Sequence, residues 1–146
     1  MHRGPRRSVF PPVFPVRRRL TLRVLVVDDH PAFRRALTSA LRMVKSIEVA
    51  GEAGGGVAAT QQARALAPDL VIMDLSMPDI DGITAMREIH QARPKLPIVF
   101  LTAHADPGME REAREAGASG FLAKGVSLED LVIVLHEAAE VPDPRI

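Results

Sequence analysis

Five polar residues stand at the ends of four short apolar runs, and their types suit one chemistry. Asp28 and Asp29 follow the run 24–27, Asp74 follows 71–73, Thr102 follows 98–101 and Lys124 follows 121–123. Neighbouring carboxylates suit a hard cation such as Mg²⁺, which takes oxygen ligands. One carboxylate could then attack phosphorus to form an acyl phosphate, while an ammonium and a hydroxyl bind the phosphoryl oxygens. Phosphoryl transfer to a carboxylate is therefore the chemistry that these residue types favour.

These residues can meet only if the apolar runs are neighbouring strands of one sheet. Five such runs alternate with five helix-compatible segments, which predicts a parallel α/β sheet covered on both faces and joined by right-handed crossovers. In such a sheet, ligands bind outside the carboxyl ends of the strands. The five polar residues are thus expected along one edge. The predicted strands are 23–28, 47–53, 69–74, 96–102 and 120–124.

Turn and cap residues set the predicted helices between these strands. Pro31 opens the first helix, and Gly54-Gly55-Gly56 forms a turn before a helix over 57–67. Gly117 closes a helix over 107–116, and Ser127 caps a last helix that runs to about Glu140. In the last helix, one stripe is predicted to face the core and Ile133 lies off it, which indicates a partner contact or a deeper groove in the same core. The stripe consists of Leu128, Leu131, Val132 and Leu135.

Each polar residue also has an ordinary interpretation. Asp28 or Asp29 could simply favour a helix N-terminus, Thr102 could be a plain strand residue, and Lys124 could be a solvated surface group. Asp74 is harder to explain in this way, because a carboxylate after a buried run needs a cation or good hydrogen bonds. The chain uses 16 Arg but only 3 Lys, so an ammonium at position 124 also favours a specific role.

Charge and composition limit the other classes of function. Residues 1–19 hold six Arg and no acid, which leaves 13 basic and 18 acidic residues, about −5, for the remainder. This acidic balance argues against direct nucleic-acid contact from this chain. The absence of Cys excludes disulfides, thiolate metal sites and a Cys nucleophile, and it fits a cytoplasmic location. No window approaches the roughly 18 apolar residues of a membrane span, so no membrane association is expected.

The same composition suggests three segments. Residues 1–20 are basic and Pro-rich, and we expect either a disordered arm or an over-extended start of the reading frame; contact of the arm with an anionic surface is a weaker alternative. Residues 21–141 form the predicted folded domain. Residues 142–146 form a tail or the start of a linker.

Five short segments stand in a characteristic order along the chain. They are Val26-Val27-Asp28-Asp29-His30-Pro31, Val71-Ile72-Met73-Asp74-Leu75-Ser76-Met77-Pro78, Asp81-Gly82, Leu101-Thr102-Ala103 and Gly120-Phe121-Leu122-Ala123-Lys124. Together they resemble response-regulator receiver domains of two-component systems, the CheY-like family, over about residues 22–140. The wording Asp28-Asp29-His30-Pro31 and Gly120-Phe121-Leu122-Ala123-Lys124 is similar to the NarL/FixJ-type subgroup. The resemblance implies a flavodoxin-like, doubly wound (βα)5 fold with strand order 2-1-3-4-5.

The resemblance also implies residue roles. Asp74 is the expected phosphoacceptor, and Thr102 and Lys124 are expected to contact the phosphoryl group. Thr102 and Phe121 are the expected switch residues, although Phe121 could equally be plain core packing. The expected Mg²⁺ ligands are Asp28, Asp29, Asp74 and the backbone carbonyl of Ser76.

The implied function is a switch that is not an enzyme beyond its own phosphorylation and dephosphorylation. A sensor histidine kinase or phosphotransfer protein would supply the phosphoryl group. The face made by the fourth helix, fifth strand and fifth helix would then change shape. That change would control a partner, a possible homodimer or an output domain. Regulators of the NarL/FixJ type usually continue into a C-terminal helix-turn-helix domain, whereas this chain stops at Ile146. Transcriptional control is therefore expected if an output domain is attached.

Two alternatives remain open from the sequence. One is a stand-alone receiver that binds a protein target or acts as a phosphate sink. The other is a phosphohydrolase with an aspartyl nucleophile, which would favour a second Asp two residues after the nucleophile. Ser76 occupies that position, which makes the enzyme interpretation the weaker one. Gly125 stands where many receivers have Pro after the lysine, but the NarL/FixJ-type subgroup often lacks that Pro.

Overall fold

The computed structural model describes residues 21–144, and within them helices and strands alternate strictly. The arm predicted over 1–20 and the last two residues of the predicted tail lie outside the described residues. No helix within 21–144 is long and apolar enough to cross a membrane. The elements are β1 Leu22–Val27, α1 Pro31–Arg42, β2 Ile47–Ala53, α2 Gly56–Leu66, β3 Leu70–Met73, α3 Gly82–Ala92, β4 Ile98–Thr102, α4 Pro107–Ala116, β5 Gly120–Ala123 and α5 Leu128–Ala139.

The five strands form one parallel sheet in the order β2-β1-β3-β4-β5, which confirms the predicted doubly wound fold. The strand ends are in register where the polar residues follow: Val27 pairs with Met73, and Thr102 pairs with Ala123. The carboxyl ends of β1, β3, β4 and β5 therefore lie along one edge of the sheet. This register is what brings residues far apart in the chain to a common site.

Helices cover both faces of the sheet because strand side chains alternate between them. Leu25, Val71 and Phe100 point to a core shared with α2, α3 and α4. Val24 and Ile72 point to a second core shared with α1 and α5. All five side chains are essentially inaccessible to solvent. The two cores fix the sheet from both sides and leave its carboxyl edge open.

The structure corrects the predicted core stripe of α5. Leu128 is the first residue of the helix and is 38% exposed. The fourth buried position is instead His136, whose ring nitrogens lie 2.9 Å from Ser46 Oγ and 2.9 Å from the Val141 carbonyl oxygen. Since a carbonyl only accepts, Nδ1 of His136 donates to Val141. With both ring nitrogens hydrogen-bonded, the burial of this polar side chain costs little.

Several predicted boundaries move by one or two residues. The glycine turn ends earlier than predicted, because Gly56 is already the first residue of α2. The fourth strand starts at Ile98, and the fifth ends at Ala123, directly before Lys124. Ser127 caps α5 as predicted, since its side chain accepts a hydrogen bond from the Asp130 amide. None of these shifts changes which residues stand at the carboxyl edge.

Candidate functional site

Two buried carboxylates lie side by side at the ends of β1 and β3. Asp28 and Asp74 are each only 3% exposed. Backbone pairing continues through them: the Asp28 amide donates to Ala53 O at 3.0 Å, and the Asp74 amide donates to Val27 O at 3.1 Å. The sheet itself therefore holds two acids in a place where desolvation and mutual repulsion both oppose their negative charge.

The ammonium of Lys124 joins these two acids. Its Nζ lies 2.8 Å from Asp28 Oδ2 and 3.1 Å from Asp74 Oδ2, and 4.4 Å above the centre of the Phe33 ring. Burial alone would lower the pKa of Lys124, but hydrogen bonds and charge from Asp28 and Asp74 raise it above its usual value overall. Lys124 is thus a charged group of the site rather than a solvated surface lysine.

Asp29 adds a third carboxylate with an unsatisfied oxygen. Its Oδ1 is buried and has no hydrogen-bond partner among the described residues. Nδ1 of His30 lies 3.5 Å from that oxygen, but it is nearer to Asp28 Oδ1, at 3.1 Å. Ligand atoms of Asp28, Asp29, His30 and Asp74 all lie within 4.8 Å of one another. A buried acidic cluster with an oxygen left over fits a hard divalent cation.

The remaining predicted site residues stand around this cluster. The Ser76 amide donates to Asp74 Oδ1 at 3.3 Å, whereas the role of its carbonyl stays a prediction. Thr102 is buried at the end of β4, and its backbone carbonyl accepts a hydrogen bond from the Lys124 amide at 2.9 Å. Phe121 is half-buried and packs against the core shared with α2, α3 and α4. The roles of Thr102 and Phe121 in switching stay predictions too.

Comparison with known proteins identifies the family to which the chain belongs. Residues 24–136 match the family described as the response regulator receiver domain. The chain belongs to this family. The response regulator UvrY of Escherichia coli O6:H1 is 39% identical over 115 residues, which cover 79% of this chain and 53% of UvrY. The chain therefore spans about half the length of this curated relative.

Solved receiver structures agree with the fold. The signal receiver domain of the response regulator NarL from Mycobacterium tuberculosis matches with a TM-score of 0.77 and 32% identity, over 84% of this chain and 98% of that one. The response regulator RcsB of Salmonella typhimurium, in a structure concerned with its conformational dynamism for DNA interaction, matches with a TM-score of 0.74 and 27% identity. That match covers 84% of this chain and 62% of RcsB.

Arg34, for which no role was predicted from the sequence, holds the backbone at Asp28. Nη1 of Arg34, on α1, donates to the backbone carbonyl of Asp28. Its Nε donates to Glu52 Oε1 at 3.1 Å, and Arg42 lies 3.8 Å from the other oxygen of Glu52. Glu52 had no predicted role. One sequence signal could have pointed to Arg34. The helix that starts at Pro31 places Phe33 and Arg34 in its first turn, close in the chain to Asp28 and Asp29.

The β3–α3 loop, residues 74–81, is held at its end by Asp81 and Gly82. Asp81 caps α3, since its Oδ1 accepts a hydrogen bond from the Thr84 amide at 2.9 Å. A Cβ on Gly82 would lie 2.5 Å from the Asp74 carbonyl oxygen and 2.8 Å from the Phe100 ring. Only glycine therefore allows α3 to begin this close to Asp74. Asp79, in the same loop, accepts hydrogen bonds from backbone amides. Those of Val57, Gly56 and Ile80, named from the largest effect to the smallest, lower the pKa of Asp79 from 3.8 to about 2.

The crowding of three carboxylates gives a prediction about Asp29. In EDTA, Asp29→Asn should raise the free energy of unfolding by about 1 kcal/mol, a fraction of the repulsion between like charges ~4 Å apart. Mg²⁺ should stabilise the wild type more than the variant. Urea unfolding followed by far-UV circular dichroism measures both, because the chain has no Trp or Tyr. Glu115→Gln, at an exposed acid of α4, is the control; a loss of stability in EDTA for Asp29→Asn would contradict the repulsion.

The lowered pKa of Asp79 gives a prediction about acid. Its folded pKa of about 2 lies below the ordinary 3.8, so the charged carboxylate contributes stability that is present above about pH 4 and lost as the pH falls towards 2. The difference in unfolding free energy between the wild type and Asp79→Asn should therefore shrink over that interval. Urea unfolding at a series of pH values measures it. A difference that stays constant down to pH 2 would mean that the Gly56 and Val57 amides do not stabilise the charged form of Asp79.

Proposed function

We propose that this receiver domain is a phosphorylation switch whose phosphoacceptor is Asp74. One observation carries the proposal: Lys124 Nζ bridges Asp28 and Asp74 at 2.8 and 3.1 Å, beside an Asp29 carboxylate oxygen that no described residue hydrogen-bonds. This arrangement gathers the nucleophile, the acids and the ammonium that phosphoryl transfer to a carboxylate needs. A sensor histidine kinase or a phosphotransfer protein supplies the phosphoryl group.

The acids at this edge would hold Mg²⁺. Its ligands would be carboxylate oxygens of Asp28, Asp29 and Asp74 together with the Ser76 carbonyl, all of them hard oxygen donors. When bound, the ion supplies positive charge that offsets repulsion between the acids and between Asp74 and an incoming phosphoryl group. The buried Asp29 oxygen, which lacks a hydrogen bond from the described part of the chain, supports this assignment more strongly than the acidic composition alone.

The transfer step follows from the position of Asp74. One of its carboxylate oxygens attacks the phosphorus of a phosphohistidine on the donor protein. The new P–O bond forms as the P–N bond breaks, and the electron pair of that bond stays on the imidazole nitrogen. Lys124 then pairs with a phosphoryl oxygen instead of bridging the two acids. The Thr102 hydroxyl, at the end of the neighbouring strand, meets a second oxygen.

Movement of Thr102 is the link to the rest of the domain. Phosphorylation adds negative charge and three acceptor oxygens beside it. When Thr102 moves inwards, Phe121 turns into the space it leaves, and the face formed by α4, β5 and α5 changes shape. Phe121 lies on β5, two residues before Ala123, which pairs with Thr102, so the two side chains are on neighbouring strands. The changed face controls a homodimer or an output domain.

The biological output proposed here is control of transcription through an attached domain. The relative UvrY is about twice as long as the matched segment, and RcsB interacts with DNA. We assign the receiver unit to residues 21–141, preceded by the basic arm 1–20 and followed by a linker that starts at 142. The absence of Cys fits the reducing cytoplasm. The receiver itself makes no direct contact with nucleic acid.

The test uses a small phosphoryl donor and needs no cognate kinase. Incubation with acetyl phosphate and Mg²⁺ should add the mass of one phosphoryl group to the wild type and none to Asp74→Ala, because Asp74 is the acceptor. Intact-mass spectrometry measures the adduct. Glu115→Gln, which removes an exposed acid of α4 outside the β3–α3 loop, should still be phosphorylated. An adduct of equal yield on Asp74→Ala, or none on the wild type, would overturn the proposal.

A further inference from the structure

The glycine turn before α2 and the loop after Asp74 touch each other through one carboxylate. Asp79 Oδ1 accepts a hydrogen bond from the Gly56 amide at 3.0 Å, and Asp79 Oδ2 accepts one from the Val57 amide at 2.9 Å. These are amides of the first turn of α2, which has no side-chain cap from its own N-cap residue, Gly55. Asp79 therefore caps α2 from a position more than twenty residues further along the chain.

Two of the three glycines make this contact sterically feasible. A Cβ on Gly55 would lie 2.9 Å from Asp79 Oδ2 and 3.0 Å from Oδ1, too close for the carboxylate to stay in place. The backbone of Gly55 is fully extended, at φ −175°, so any residue could adopt its conformation. A Cβ on Gly56 would overlap the side chain of Ile80. The glycines are needed at this turn to admit the loop, and not to form an unusual backbone.

The loop that Asp79 anchors is the one that leads out of the phosphorylation site. It starts at Asp74, whose Oδ1 accepts a hydrogen bond from the Ser76 amide at 3.3 Å. It leads to Gly82, the first residue of α3, whose amide donates to Leu75 O at 2.7 Å. Between these points, Asp79 fixes the loop to α2. A carboxylate at a helix N-terminus is favourable, and the amide hydrogen bonds that stabilise its charged form lower the pKa of Asp79 to about 2.

We propose that Asp79 is a positioning residue for the metal and phosphoryl site, because it anchors the β3–α3 loop on α2 and thereby fixes Ser76. The inference rests on the proposed function, in which the Ser76 carbonyl is a ligand of Mg²⁺. Without the anchor, the loop samples more conformations, and metal binding must then meet the entropic cost of ordering it. Groups that hydrogen-bond a metal ligand directly commonly change metal affinity by 10–100-fold when they are removed, and the lower end of that range is expected for Asp79, which acts through the loop backbone.

The experiment breaks the same contact from both sides. Mg²⁺ is titrated calorimetrically into the full chain as wild type, Asp79→Ala, Gly55→Ala and the double variant. Each single variant should weaken Mg²⁺ binding roughly tenfold. The double variant should bind no more weakly than the weaker single variant, because both changes remove one contact. The matched control is Asp69→Ala, which removes a carboxylate that holds the Arg23 amide at 2.9 Å at the opposite edge of the sheet; it should leave the affinity unchanged.

The outcomes separate the inference from the function on which it rests. A wild type that binds no Mg²⁺ overturns the proposed function and the inference together. A wild type that binds Mg²⁺ while Asp79→Ala and Gly55→Ala bind equally tightly overturns the inference alone, as do additive effects in the double variant. Should Asp79→Ala fail to fold, Gly55→Ala carries the test, since its backbone conformation suits alanine. Hydrogen exchange is a second readout: the Gly56 and Val57 amides should exchange faster in the folded single variants, and unchanged exchange would contradict the anchor.

Discussion

Asp28 and Asp74 share the single ammonium of Lys124 in a place where water cannot screen their charges well. Two buried acids close enough to contact the same ammonium repel each other, and burial has also removed each of them from water. The protein tolerates this cost because β1, β3 and β5 end in register at one edge of the sheet and bring the cation to the acids. In this arrangement a single cation, the Lys124 ammonium, offsets the charge of both acids.

The surrounding residues hold this unfavourable arrangement in place. Arg34 and Glu52 fix the backbone of Asp28 from α1 and β2, and the Phe33 ring lies under the Lys124 ammonium. On the other side, Gly82 lets α3 start against Asp74. Each of these contacts joins the site to a different helix or strand. A shift of the site residues on phosphorylation would therefore move several elements at once.

Much of the site could be predicted from sequence because one rule connects strand ends to function. Parallel strands place their carboxyl ends at one edge, so Asp28, Asp74 and Lys124 could be grouped without coordinates. Contacts between distant segments could not be found in this way. Asp79 reaches the first turn of α2, and Arg34 reaches Glu52, and neither pairing leaves a periodic signal. The wrong assignment of Leu128 to the core has a local cause, because a helical stripe gives no warning that its first residue lies at an exposed helix end.

A structure of the receiver with Mg²⁺ and beryllofluoride, which stands in for the phosphoryl group, tests the central claim most directly. Beryllium should be bonded to a carboxylate oxygen of Asp74. Lys124 Nζ and the Thr102 hydroxyl should then contact fluorine atoms, and Lys124 should no longer bridge Asp28 and Asp74. Beryllofluoride bound to another residue, or a Lys124 that still bridges both acids with beryllofluoride present, would contradict the account.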